Sequence, residues 1–553
     1  MTESLGVADA IGPAVFRAPA AAAQGRSRDQ AVTELYSLHY RALVRLAVLL
    51  VRDLPTAEDV VQDSFAALHG GWQRLRDTES ALAYLRSAVL NRSRSVLRHR
   101  AVADKHMPKP PPDMPSAEHS ALAQLERSAV VFPARTEEVA TVLAWACEAG
   151  VAVIPRGGGS GVCGGAVAHA GSIVLDLSRM NHVIGVDPVS QVVQAEAGVR
   201  GDQLEDVLAG PGLTVGHYPQ SIASSTVGGW IAASSAGQAS TGFGAIEDVL
   251  LGCTAVLPQG EILRCRPVPR SAAGPDLRRL LVGSEGTLAV VTEATLACRA
   301  RPARWDWLVF GFRSFAALAD GLRDALRAET GAAVIRGYDE ADAQLSFGAL
   351  GHTSGCVGML GFPVGPGARE ALEARKKLAS SVIERAGSSG QLDASYGEHW
   401  WQHRHDAVDT YARIMGPDRA FGPGVIVDTF EVAGLWSAVP RLYAGIRDAL
   451  AAHAQAVLCH LSHLYSSGSS LYFTFLITGT DDQDAEARYL AAWDDAVRSC
   501  TAAGGTLTHH HGVGRLKAAF LAGELGEAGV DVLKKIKAAL DPAQIMNPGV
   551  LLP

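Results

Sequence analysis

Pro155-Arg156-Gly157-Gly158-Gly159-Ser160-Gly161-Val162-Cys163-Gly164-Gly165 follows directly on the apolar run Val151 to Ile154, which reads as a strand. Consecutive glycines let backbone N–H groups converge on an anion, because no Cβ stands in the way. Gly159 to Gly164 also fits the spacing GxGxxG. The dinucleotide-binding form of that motif opens a helix and is followed by an acidic residue about 20 positions on. Here Ala166-Val167-Ala168-His169-Ala170-Gly171 leads instead into a second strand, Ile173 to Leu177. The doubly wound nucleotide fold is therefore excluded, and a phosphate-cradling loop between two strands remains.

Outward from the cradle the pattern stays mixed. Thr136 is placed to cap a helix that carries Val139, Val142, Leu143 and Ala146 on one face and stops at Gly150. His182 to Val186 and Gln191 to Ala197 read as strands joined by a turn at Asp187 to Ser190. Two glycine-rich segments follow. One is Ser224-Ser225-Thr226-Val227-Gly228-Gly229-Trp230; the other is Gly283-Ser284-Glu285-Gly286-Thr287-Leu288, ahead of a strand at Ala289 to Thr292. Small side chains and hydroxyls suit close packing against a flat ring and a diphosphate. A second mixed region covers about 305–500, and a last helix is expected at Ala528 to Leu540. Strands interleaved with helices give an α+β class.

The bulk numbers set limits. With 553 residues the chain exceeds one hydrophobic core, so several units are expected. A net charge of −8 removes bulk electrostatics as a route to nucleic acid, leaving only local patches. The eight cysteines form no CxxC pair, which suits reduced thiols and a cytoplasmic setting. The N-terminus shows no basic n-region, and the longest apolar runs fall short of a bilayer span. Association with a membrane would have to be peripheral.

The cradle, the STVGG segment, the GSEGT segment and the closing Asn547-Pro548-Gly549 stand in the order found in the vanillyl-alcohol-oxidase-type flavoproteins, and residues from about 130 onward resemble that family. The resemblance implies a two-part FAD-binding domain of PCMH type with an α/β cap that supplies the substrate site. By position, Arg156, Gly157, Gly158, Gly159, Ser160 and Gly161 would hold the diphosphate. Ser224, Ser225, Thr226, Gly228 and Gly229 would lie along the ribityl chain and ring. Glu285, Gly286 and Thr287 would sit near the adenine side or the ring, with Asn547 closing the site. The cradle lacks the histidine that tethers FAD covalently in some relatives, so non-covalent FAD is expected.

Thr508-His509-His510-His511-Gly512-Val513-Gly514 is the most unusual chemical feature. Chain neighbours point in different directions, so no metal site is expected from the three histidines alone. Histidine does suit proton transfer near neutral pH. The run HHHGVG with Arg515-Leu516-Lys517, and Cys459-His460-Leu461-Ser462-His463 with Tyr465 and Tyr472, resemble the alkyldihydroxyacetonephosphate synthases and their bacterial relatives. That likeness implies a flavin adduct through which a fatty alcohol replaces the acyl chain of an acyl-dihydroxyacetone phosphate, a lipid-like phosphorylated substrate. His509, His510 and His511 would transfer protons, Tyr472 would be a hydroxyl partner, and Arg336 or Arg413 would grip phosphate. Residues 460–472 lack the HAGDGNxH-type metal motif of the 2-hydroxyacid dehydrogenases. An FAD-dependent dehydrogenase or oxidase of a hydroxy acid or alcohol is the alternative reading, and a homodimer is an open expectation.

The front end carries a separate pattern. Leu43, Leu46, Ala47 and Leu50 share one helical face, and Thr56 with Asp59 resembles a capping box after Pro55. Ser80 to Ala103 has no acidic residue but carries Arg86, Arg92, Arg94, Arg98 and Arg100. Residues 31–103 resemble region 2 of an extracytoplasmic-function sigma factor. This implies contacts with RNA polymerase and promoter DNA, for which a cationic helix is suited. No DNA-binding region 4 follows. A transcription regulator with a flavin sensor is therefore a second alternative. The organisation expected is a disordered stretch over 1–27, an all-α sigma region 2 module over 28–103 and a Pro-rich linker over 104–128. An FAD-binding domain over 129–302, a cap over 303–503 and a closing segment over 504–553 complete it.

Overall fold

The structure, a computed structural model, describes residues 128–552 except 366–368 and 416–418. Before residue 128 it describes only Val32, Tyr36, Tyr40, Val44, Val60 to Phe65, Ala67, Leu68, Leu85, Ala88 and Val89. All of these are helical, and Val60, Val61, Phe65, Leu68, Leu85 and Val89 are buried, as an all-α module requires. The expected N-terminal disorder over 1–27, the capping start at Thr56 and Asp59, the arginines at 86, 92, 94, 98 and 100 and the linker over 104–127 lie outside the described residues. Residues 1–114 and 115–553 form separate units.

In the larger unit, the helix Thr136–Ala149 ends at Gly150, whose φ of 66° suits a residue without a Cβ. Its N-cap is Arg135 and not Thr136. The Thr136 hydroxyl instead donates to Thr292 Oγ1 at 3.0 Å, tying the helix to a distant strand. The helix packs on a parallel sheet in the order Ala129–Val131, Ile173–Asp176, Val153–Arg156. An antiparallel five-stranded sheet lies beyond it, in the order Val183–Asp187, Val192–Glu196, Val290–Ala297, Leu250–Val256, Ile262–Cys265. Its core includes Leu204, Leu208, Val227, Trp230 and Ile231. The turn at Asp187 forms because its carboxylate accepts from Val189 N and Ser190 N.

The cap is a seven-stranded antiparallel sheet. Its order is Gly390–Leu392, Arg304–Phe312, Cys356–Val364, Val334–Tyr338, Ala456–Leu464, Gly468–Thr478, Val425–Leu435. Strand side chains alternate between faces. One face carries Phe430, Val432, Leu461, Leu471 and Phe473, all fully buried, under helices that include Phe315–Arg327 and Val439–Ala451. The other face carries Arg336, Tyr338, His460, Tyr472 and Glu431, and is polar.

The last helix runs Leu521–Leu540, longer than expected, with a break at Gly526 (φ 70°). Its end is locked by an internal ion pair. Lys537 Nζ donates to Asp541 Oδ2 (2.7 Å), Thr287 O (3.0 Å) and Met546 O (2.9 Å), and Asp541 accepts Ile545 N and Met546 N. All eight cysteines are free thiols. Among the described residues no helix is long and apolar enough to cross a membrane. Asp541→Ala strands a buried ammonium and two backbone N–H groups. The variant should lose about 3–5 kcal/mol of stability, read from the urea midpoint of unfolding.

Candidate functional site

The cradle glycines have structural reasons that the sequence pattern leaves out. A Cβ on Gly157 would lie 2.2 Å from Thr226 Oγ1, and one on Gly158 would lie 1.8 Å from Ser224 O. The cradle and the STVGG segment therefore back onto each other. Gly159 adopts φ 67°, while Gly161 has open space at its Cβ position. Arg156 is half-exposed and lies 3.8 Å from Asp176. Within STVGG, Thr226 caps the helix Val227–Ala232 through Gly229 N, and Ser225 Oγ accepts from Trp230 Nε1. Gly228 faces Ala197, so Ser225, Thr226 and Gly228 shape the segment from inside.

Glu285 has a structural role that its motif did not suggest. Its carboxylate accepts Val513 N at 2.7 Å and Gly514 N at 2.8 Å, holding the histidine loop. Burial pushes this carboxyl up in pKa, and the two backbone donors offset part of that. Thr287 is fully buried and donates to Ser284 O. Asn547 Nδ2 donates to Gly165 O and Glu285 O, both at 2.7 Å.

A flavin fits what remains. Asn547 Oδ1, Gln238 Oε1 and His217 Nδ1 are buried polar atoms without a partner. Such orphans are rare unless a ligand or water completes them, and acceptors beside a ring nitrogen match the mixed hydrogen-bonding edge of an isoalloxazine. His217 is held against Trp230 and bonded to Ser235 Oγ at 2.9 Å, and burial lowers its pKa to about 3, so it is neutral. It was not singled out from the sequence.

The histidines converge with the polar face of the cap sheet. Register places Tyr338 opposite His460, His460 opposite Tyr472, and Tyr472 opposite Glu431. His460 stacks on Tyr472 with centroids 4.9 Å apart and lies 3.0 Å from Asp342. Tyr472 approaches His511 edge-on at 5.4 Å. Burial pushes the Tyr472 phenol up to about 12, so it stays a proton donor.

The strand Ala456–Leu464 carries an irregularity between Ser462 and Leu464, where His463 has φ 51°. This re-aims His463, which stacks at 5.0 Å from His509 and bonds Ser240 Oγ at 2.7 Å. One ring nitrogen each of His463, His509 and His510 lies within 4.8 Å of the others. Adjacent chain positions alone did not predict this convergence, because the third ring comes from a bulged strand. His509 also bonds Tyr465 Oη through Nε2 at 2.6 Å. Burial above all lowers His509 to about 4 and His511 to about 3.

Arg336 is 7% exposed. Its Nε donates to Tyr338 Oη at 3.0 Å, and its guanidinium lies 5.0 Å from the centroid of Trp400. Among the described residues no carboxylate pairs with it. Arg413 is exposed on the helix Asp406–Met415 and shares no bond with this cluster. The geometry therefore favours Arg336 over Arg413, whose exposure denies it the desolvated surroundings that make an anion contact strong.

Comparison with known proteins accords with this arrangement. A family profile described as "FAD binding domain" matches residues 127–266, and one described as "FAD linked oxidases, C-terminal domain" matches 301–551. A third, "Sigma-70 region 2", matches 35–102. An alkyldihydroxyacetonephosphate synthase of Trypanosoma brucei brucei is 30% identical over 465 residues, covering 77% of this chain and 73% of the relative. Glycolate oxidase subunit GlcD of Bacillus subtilis is 28% identical over 428 residues, covering 76% and 88%. A solved alkyldihydroxyacetonephosphate synthase superposes with a TM-score of 0.61 at 25% identity, covering 76% of this chain and 75% of that one.

Two measurements test the site. Gly158→Ala should lose bound FAD, read from flavin absorbance per protein, because its Cβ meets a backbone carbonyl. Gly185→Ala, outside the cradle and with nothing near its Cβ position, should keep FAD, and equal loss in both variants would refute the packing argument. Acidification should also destabilise the protein. The histidines at 217, 509 and 511 have folded pKa values below that of an unfolded imidazole, so the unfolded state binds more protons. Their contribution is complete above about pH 6.5 and is lost progressively as pH falls towards 4, which thermal midpoints across that range would record.

Proposed function

We propose that this chain, a member of the FAD-linked oxidoreductase family that includes the alkyldihydroxyacetonephosphate synthases, replaces the acyl chain of an acyl-dihydroxyacetone phosphate with an alkyl chain, without net redox change. Arg336 carries the reading. A buried guanidinium without a carboxylate partner is costly, and a phosphorylated substrate supplies the missing charge through a bidentate contact. The histidine loop supports the same reading, because it packs against the polar face of the cap sheet that also carries Arg336, meeting it through His463 and Tyr472.

FAD is the cofactor. Arg156 to Gly161, Ser224 and Asn547 would hold it, with His217 and Gln238 meeting its ring. The cradle has no histidine between Arg156 and Gly161, which favours non-covalent binding. Bound FAD supplies the electron-accepting centre that a redox-neutral exchange of this kind requires. The chain's own groups do the rest. Arg336 binds and orients the phosphate. Tyr472 keeps its proton and offers a hydrogen bond to oxygen. His510 takes and returns a proton, flanked by His509 and His511, which burial keeps neutral. The site lies between the cap sheet and the closing segment, which limits the access of water.

The Sigma-70 region 2 match supports a separable property, contact with RNA polymerase through residues 35–102. Co-purification with the polymerase, lost on deleting 31–103 while FAD is retained, would support it; polymerase that never co-purifies would count against it.

Anaerobic enzyme given acyl-dihydroxyacetone phosphate and a long-chain alcohol should release fatty acid and form the alkyl product with no electron acceptor. Flavin bleaching by lactate or glycolate without any exchange would establish the dehydrogenase reading instead. Arg336→Lys should raise KM for the phosphorylated substrate roughly 10–100-fold, matching loss of a charged bidentate contact. His510→Ala should lower kcat at least ~100-fold with FAD content unchanged.

A further inference from the structure

Glu431 stands in the middle of the strand Val425–Leu435 and is fully buried. Its Oε1 accepts His509 N at 2.8 Å and His510 N at 3.2 Å, and His510 Nδ1 lies 3.1 Å from the same oxygen. Thr508 Oγ1 donates to Oε2 at 3.4 Å. Every one of these contacts goes to the loop that carries the histidines. Burial pushes the Glu431 carboxyl up, but the contact with His510 and the nearby Lys517 ammonium help to hold the group well below the usual carboxylate range. The acid is therefore a permanent anion inside the protein.

The geometry points to Glu431 as the positioning residue of the site: its carboxylate fixes the proton of His510 on Nδ1 and leaves Nε2 as the basic nitrogen that takes the proton in turnover. This assignment rests on the exchange reading above. The other tautomer would set an Nδ1 lone pair against the carboxylate oxygen 3.1 Å away, which has no proton to offer. With the proton on His510 Nδ1, the His509 Nδ1 accepts. His509 Nε2 then carries its own proton and donates to Tyr465 Oη at 2.6 Å. Every ring nitrogen of this pair is thereby satisfied except His510 Nε2, which has no hydrogen-bond partner among the described residues. Two backbone N–H bonds to the same carboxylate prevent the loop from rotating the ring away. A carboxylate behind an imidazole sets both its tautomer and its orientation.

Glu431→Gln keeps the shape and an oxygen acceptor but removes the charge. FAD content and the thermal midpoint should stay near those of the parent protein. The kcat for alkyl-for-acyl exchange should fall about 10–100-fold, while KM for the phosphorylated substrate changes little, because Arg336 is untouched. Glu431→Asp should recover part of the lost kcat. A second readout needs no turnover: nitrogen-15 NMR of histidine-labelled protein, with His510 assigned by its loss in His510→Asn. The parent should show His510 with its proton on Nδ1, and Glu431→Gln should show a mixture of tautomers. Parent-like kcat in Glu431→Gln, or an Nε2-protonated His510 in the parent, overturns the assignment. Should Glu431→Gln lose FAD or fail to fold, the parent spectrum still decides. If the parent exchanges no acyl-dihydroxyacetone phosphate, the functional reading falls and the spectrum alone judges Glu431.

Discussion

Glu285 ties its own segment to the loop after the histidines and, with Asn547, to the closing segment and the cradle. It takes two backbone N–H groups from the loop after the histidines, and its own backbone oxygen takes an N–H from Asn547. Asn547 reaches on to Gly165 at the end of the cradle. A buried carboxylate is costly unless donors meet it, so any shift of the loop is opposed by the energy of leaving that charge unsatisfied. The glycines around it follow from the same clamp. Gly512 and Gly514 have φ of 79° and 56°, and a Cβ on Gly514 would lie 1.8 Å from Cys163 O. The GSEGT and NPG signatures, read as cofactor motifs, and the HHHGVG run, read as catalytic, are parts of one joint.

The cap sheet supplies the other side. Antiparallel register brings Tyr338, His460, Tyr472 and Glu431 into one row across four strands, although they lie up to 134 positions apart in the chain. The alternate residues, Leu461, Leu471, Phe473 and Val432, are buried under helices. A one-residue slip would send the polar row into that apolar layer and the apolar side chains into the site. Burial of the helix-covered face therefore fixes the active face.

Much of this was legible in the sequence. Glycine spacing and the absence of a following helix gave the cradle its place between strands. Alternation gave the strands of the first half to within a few residues. The order of the four motifs implied FAD, which the family profiles bear out. What escaped depended on contacts that composition does not encode. Thr136 looked like a cap because threonine often is one, but its hydroxyl is drawn to Thr292 from across the fold. His463 lies three positions from His460, which in a regular strand puts the two on opposite faces; only the bulge at 462–464 turns it towards His509. Glu431, surrounded in sequence by ordinary strand residues, gave no signal. Arg413 stood as a second, weaker phosphate ligand beside Arg336, and the two differ sharply: the first is exposed on a helix and the second buried in a sheet.

The two buried glutamates hold the histidine loop, which has no regular structure of its own. Glu431 belongs to the cap strand and grips residues 508–510; Glu285 belongs to the FAD-binding half and grips 513 and 514. Each half of the protein thus holds one end of the same short loop, and His511 and Gly512 span the gap between the two grips. Neither half could orient the histidines alone. A change in the spacing between cap and FAD-binding domain must pull on the loop from both sides. The histidines therefore hang between the half that carries the cradle glycines and the sheet that carries Arg336.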